Sequence, residues 1–162
     1  MKFAIIKQIL FRNKQNIPWN QVEQYLKRYI GQSYVTEQYD DVINIASDFP
    51  DEYAESEYTK RLRGANAKAK ANAAQVIPEM IATAENRRWI ENKKEKHSQN
   101  ASKGWYRYDT GFAIPKEGNT NDSNGEMRSY YRATLVVRIS DMGLFLYDVI
   151  NIKKEASTPP GL

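Results

Sequence analysis

Residues 130–152 read YYRATLVVRISDMGLFLYDVINI, and the period of this stretch decides the fold. Tyr131, Ala133, Leu135, Val137 and Ile139 alternate with Arg132, Thr134 and Arg138. Leu144, Leu146, Ile150 and Ile152 continue the alternation after Asp141-Met142-Gly143, which reads as a tight turn. Successive side chains of a strand point to opposite faces, so alternation marks half-buried strands joined as a hairpin. Upstream, Tyr106, Tyr108, Thr110, Phe112 and Ile114 share one face of a further strand. Between these strands, the Gly- and Asn-rich run from Pro115 to Met127 reads as a polar loop. The reading predicts a three-stranded antiparallel meander over about residues 104–153, with Arg132, Thr134, Arg138 and Lys153 on its outer face.

Ahead of the meander the pattern is mostly helical. Trp19, Val22, Leu26, Tyr29 and Ile30 fall at helical spacing after Pro18, and Gly31 is a stop. Short β-rich runs at 33–36 and 42–46 follow, and Phe49-Pro50-Asp51 reads as a turn. From Ser56 onward the Ala-rich stretch 65–75 favours helix, with its lysines expected in solvent. Pro78 kinks that helix, whose apolar stripe is expected to continue through Trp89 and on to His97. Phe3–Phe11 is apolar but of ambiguous period, and would widen the sheet if it formed an early strand. The predicted fold class is α+β: N-terminal helices, then an antiparallel meander packed on a long helix. One domain is expected over residues 1–155, helical over residues 1–97 and sheet-forming over 104–153, followed by a frayed tail at 156–162.

Composition narrows the chemistry. The chain has 162 residues, no cysteine and one histidine. Disulfide frameworks, thiolate nucleophiles, zinc ribbons and any site built on two histidines of one chain are therefore excluded. No apolar run approaches the roughly 20 residues that span a bilayer, and the first residues do not resemble a secretory signal, so a cytoplasmic protein without membrane contact is expected. No Gly-rich phosphate loop and no nucleophile elbow is present. The acidic residues fit no calcium-loop spacing, so neither a metal site nor a cofactor is expected.

Charge is segregated. Residues 37–59 carry eight carboxylates and no base, whereas residues 60–107 carry twelve Lys or Arg against four Glu. In the basic strip, Arg87, Arg88, Lys93, Lys94 and Lys96 are interleaved with aromatics such as Trp105 and Tyr106. Cations meet phosphates and flat rings stack on bases, so this is a candidate nucleic-acid surface. A solvated helix face would use the same lysines. The acidic strip, with Glu37, Asp40, Asp41, Asp51 and Glu52, would instead imitate a phosphate backbone and fit a basic channel in a nucleic-acid enzyme. A third reading has the two strips neutralising each other in the folded chain.

His97 is the one side chain whose ordinary pKa lies near neutrality. With Glu95 or Glu91 and cations such as Arg107, it would suffice for metal-independent RNA cleavage. One group takes the 2′-hydroxyl proton, another protonates the leaving 5′-oxygen, and cations hold the added phosphate charge. The alternative is a histidine that caps a helix C-terminus.

The segments 92–97 (NKKEKH), 104–110 (GWYRYDT), 135–139 (LVVRI) and 144–154 (LFLYDVINIKK) resemble domains carried by phages and other mobile elements, in large polyvalent and phage-head toxin proteins. Several of those are assigned to the barnase–EndoU–colicin–RelE superfamily of metal-independent RNases. The resemblance covers about residues 85–155. It implies helices followed by an antiparallel sheet, His97 as the histidine before the first core strand, and Arg107 and Arg138 as strand-borne cations. A second histidine found in several branches has no counterpart here. Two functions follow as expectations. One is an RNase-like domain acting on RNA or a nucleoprotein complex. The other is a non-catalytic inhibitor of the anti-CRISPR type, which binds a host nuclease.

Overall fold

The computed structural model describes residues 1–93, 101–116 and 127–155. Its scaffold is the expected meander of β5 (Trp105–Pro115), β6 (Arg128–Ser140) and β7 (Gly143–Lys154). The β5–β6 ladder runs unbroken from Trp105 opposite Arg138 to Pro115 opposite Arg128. Four short strands widen it. β1 (Ala4–Ile5) lies parallel to β5, and β4 (Glu85–Ile90) pairs antiparallel with the other end of β5. β3 (Val42–Asn44) lies parallel to β7, and β2 (Ser33–Val35) closes that side. The early apolar stretch thus supplies a strand, and the fold is α+β with a mixed sheet.

Tyr108, Thr110, Phe112, Leu135, Val137 and Leu146 are buried on one face, as their alternation requires. Against the core pack α1 (Trp19–Leu26), α2 (Phe49–Glu55), α3 (Glu57–Arg61), α4 (Gly64–Ala73) and α5 (Ile77–Ala82). Gly31 ends the first helical segment at φ +85°, a conformation that costs glycine little. No helix among the described residues is long and apolar enough to cross a membrane.

Five expectations are corrected. First, the apolar stripe does not continue as helix to Trp89. Helix α5 stops at Ala82, and Glu85–Ile90 is the strand β4. Arg88, Trp89 and Ile90 face Arg107, Tyr106 and Trp105 across a ladder, so tertiary pairing overrides a short helical pattern. Second, Phe49-Pro50-Asp51 is the first turn of α2, where proline sacrifices no hydrogen bond. Third, the lysines of the Ala-rich helix are not all solvated. Residues 67–73 are buried on every side of α4, Lys68 and Lys70 among them. Small alanines let neighbours approach from all directions. Asn72 serves the same role with polar atoms: its Oδ1 accepts from the Leu10 and Phe11 amides, and its Nδ2 donates to the Phe11 carbonyl.

Fourth, β7 does not alternate simply. Its buried residues are Leu146, Asp148, Val149 and Ile152, while Leu144 and Ile150 are half-buried. The register slips at Val136/Val137 and again between Arg132 and Thr134, and each added residue reverses the faces beyond it. Fifth, Thr134 and Arg138 point away from the main core yet are 5% and 8% exposed, so the outer face is partly covered.

Candidate functional site

Trp105, Arg107 and Val136 lie on the sheet face opposite Tyr108, Leu135 and Val137. There, β4's end, β5, β6 and the bulge of β7 enclose a pocket of about 380 Å³. Ile90, Val136 and Ile150 give it apolar walls, and Trp105 and Tyr147 give it aromatic ones. The two rings meet edge to face at 5.1 Å. Asn92 fixes the tryptophan, since its Oδ1 accepts from Trp105 Nε1 at 3.4 Å while its Nδ2 donates to the Ala101 carbonyl. Gly104 sits beside this corner at φ +95°. A Cβ there would meet Trp89 Nε1 at 2.7 Å and the Ile90 carbonyl at 2.8 Å.

Arg107 is the distinctive residue of the pocket. Its Nε is buried and has no hydrogen-bond partner, and no ion pair of Arg107 occurs among the described residues. A guanidinium is permanently charged and presents a rigid fork of donors, so an unsatisfied donor in a pocket favours an anion. The carboxylates nearby do not meet that need. Asp148 faces Val136 across the ladder and lines the pocket, but its charge is held by Lys70. Glu91 and Lys93 lie exposed at the rim with opposite charges. Burial, with the hydrogen bond that Tyr147 donates to Glu52, raises its phenol above the ordinary tyrosine range.

The predicted phosphate- and base-binding residues separate into two groups. Lys93, Trp105 and Arg107 come together in the pocket. Arg87, Arg88 and Arg138 do not line it, because carboxylates hold them. Arg87 Nη1 bonds both Asp41 oxygens at 2.9 Å, and its guanidinium stacks between Tyr39 and Tyr106. Tyr108 also donates to Asp41 at 2.6 Å. Arg88 meets Asp109 at 3.0 Å. Arg138 Nη1 bonds Asp48 at 2.8 Å, with the guanidinium 5.0 Å from the Phe145 ring centre. Tyr106 thus belongs to the Arg87 stack rather than to the pocket. Lys94, Glu95, Lys96 and His97 lie outside the described residues.

The acidic strip is divided in the same way. Asp41 neutralises Arg87 of the basic strip, Asp48 neutralises Arg138 of β6, and Glu37 lies 3.8 Å from Lys2. Asp40 is exposed at φ 55°. Asp51 joins Glu23 and Glu55, one carboxylate oxygen of each within 4.8 Å of the others. A hydrogen bond and repulsion from Asp51 raise the Glu55 pKa. Glu52 is half-buried and bound to Tyr147.

Sequence reasoning missed Val136 and the Lys70–Asp148 pair beneath the pocket. A carboxylate inside the apolar run LFLYDVINI was the available signal, since a buried acid demands a partner. No family model, no curated protein and no solved structure matches this chain.

Proposed function

We propose that this protein binds RNA at the Arg107 pocket and acts as a metal-independent RNase-like domain of a mobile element. The observation that carries the reading is the buried, unpartnered Nε of Arg107 beside Trp105 and Tyr147. A phosphate supplies the anion that Arg107 lacks, and a base supplies the flat face that the aromatic walls accept. In cleavage, Arg107 would hold the charge that grows on the phosphate, and His97 would move the proton of the 2′-hydroxyl.

The test is cleavage and binding of a single-stranded RNA against the same strand with 2′-deoxy sugars. Arg107→Ala is expected to weaken binding of both strands and to abolish cleavage of the RNA. Binding without cleavage of either strand removes the RNase and leaves an RNA-binding protein. Equal binding by wild type and Arg107→Ala removes the pocket.

One observation favours a second reading. The Glu23, Asp51 and Glu55 carboxylates crowd one another, the last two exposed, a negative patch that a basic protein surface would relieve. An inhibitor of a host CRISPR-type nuclease would use this patch, with Asp40 and Glu52 nearby in sequence. Asp51→Asn with Glu55→Gln would then slow association with that nuclease while leaving RNA binding unchanged.

A further inference from the structure

A second cationic region lies at the other end of the meander, away from the Arg107 pocket. Where β5 and β6 meet the first turns of α4, a hollow of about 400 Å³ is lined by Lys14, Lys68, Lys116 and Lys154, with Ser129 and Tyr131 between them. A second hollow, of about 330 Å³, shares Lys14 and adds Lys60, Arg63 and Trp19. Among the described residues lining either hollow there is no carboxylate.

The lysines of this region contrast with four arginines of the sheet. Arg87, Arg88, Arg132 and Arg138 each have a carboxylate partner. Lys14, Lys60, Lys116 and Lys154 are exposed and form no ion pair among the described residues. Between the hollows begins α4, whose N-cap Arg63 has no side-chain cap bond to the first-turn amides. The positive end of that helix therefore adds to the field of the lysines rather than being cancelled. Arg63 Nη1 donates to the Lys60 and Leu62 carbonyls at 2.6 and 2.7 Å, which pins the guanidinium at the helix entrance.

Two shallow hollows in series, joined at one lysine and lined by point charges, suit an extended polyanion better than a single compact ion. Lysine is a strongly hydrated point charge on a flexible stem, matched to phosphates whose positions vary along a chain. A half-buried Trp19 in the second hollow offers an aromatic surface to a base. We infer that these hollows form a track for the phosphodiester backbone of a single-stranded nucleic acid, remote from the pocket and additional to it. The inference rests on the RNA-binding reading above and extends it: the pocket seats one nucleotide, and the track holds the strand. Tyr131 of the track and Val136 of the pocket are five residues apart on β6, about 17 Å along the strand. A dinucleotide would reach one region only.

The experiment measures anisotropy of a labelled single-stranded RNA of about 12 nucleotides, within the usual site range, from low to moderate salt. The variants are Lys14→Gln/Lys116→Gln/Lys154→Gln and, separately, Arg107→Ala. All three lysines are exposed, and a thermal melt checks that the fold persists. The triple variant is expected to bind the strand at least tenfold more weakly, with its log–log salt slope shallower by about 2, while dinucleotide affinity stays as in wild type. An unchanged affinity and slope overturns the track even where Arg107→Ala weakens binding. Weakening by the triple variant with no effect of Arg107→Ala supports the track and removes the pocket. Polyglutamate binding as tightly as the RNA, with the same loss in the triple variant, overturns the assignment to phosphodiester and points to an acidic protein partner.

Discussion

Lys70 Nζ lies 2.6 Å from Asp148 Oδ1, and the two side chains are 0% and 4% exposed. Helix α4 thereby meets β7 through charge as well as through apolar packing. Thr59 Oγ1 accepts a second bond from Lys70 at 2.6 Å, the Tyr53 ring centre lies 4.6 Å from the ammonium, and the Val149 amide donates to Asp148. Breaking such a pair leaves a buried charge without a counterion, at a cost of about 3–5 kcal/mol. Lys70→Met is expected to destabilise by that order, and Lys70→Met/Asp148→Leu by clearly less. Urea unfolding of the three proteins checks this. A double variant no more stable than the single would mean that packing, not charge, holds α4 to β7.

The same pair sets a pH dependence. Burial raises the Asp148 pKa above the usual carboxylate value and lowers that of Lys70. Between the unfolded and the raised folded pKa of Asp148, the folded state binds more protons. The stability that Asp148 contributes is therefore present at low pH and declines as pH rises from about 4 towards the raised value. Wild type should lose stability relative to Asp148→Asn over that window. A gain relative to Asp148→Asn would place the folded pKa below the unfolded one.

Asp41 ties the edge strand β4 to the core, because it accepts from both Arg87 and Tyr108. Asp41→Ala leaves a buried phenol and an arginine without their acceptor, at an expected cost of about 1–3 kcal/mol. Arg87→Ala, which leaves Tyr108 bonded, should cost less. The reverse order in thermal denaturation would assign the tether to the stacking of Arg87 on Tyr39 and Tyr106.

The bulges of β7 make a mutational signature. Leu135→Ala and Leu146→Ala should each cost about 2–5 kcal/mol, since both positions are fully buried. Ile150→Ala should cost well under half as much, because Ile150 lines the pocket wall. Equal losses at positions 146 and 150 would require an unbulged strand.

Within the pocket, Trp105→Ala should weaken single-stranded RNA binding by about 1–3 kcal/mol, the usual worth of one stacked base. Asn92→Ala, which removes one hydrogen bond to the indole and keeps the ring, should weaken binding by less. Titration calorimetry with one oligonucleotide compares them, and a Trp105 variant that binds like wild type would take the aromatic wall out of recognition.

The α+β class and the three long strands were legible from residues 105–152 because a half-buried strand writes its two faces into alternate positions. The stop at Gly31 was readable for a similarly local reason, whereas the ambiguous period of Phe3–Phe11 left the strand at Ala4–Ile5 undecided. Arg107, Lys93 and Trp105 were also nameable in advance, as residue types suited to phosphate and base. What the sequence could not reveal was which charges survive folding. Arg87, Arg88 and Arg138 look like Arg107 in sequence, yet Asp41, Asp109 and Asp48 neutralise the first three from up to 90 positions away. Lys68 and Lys70 read as a wet helix face, yet alanine-lined contacts on all sides of α4 bury them. Local pattern determines the elements, because strand and helix periods act within a few residues. Tertiary contact decides which cations stay available to a ligand, because ion pairing and burial depend on what the chain brings near from a distance.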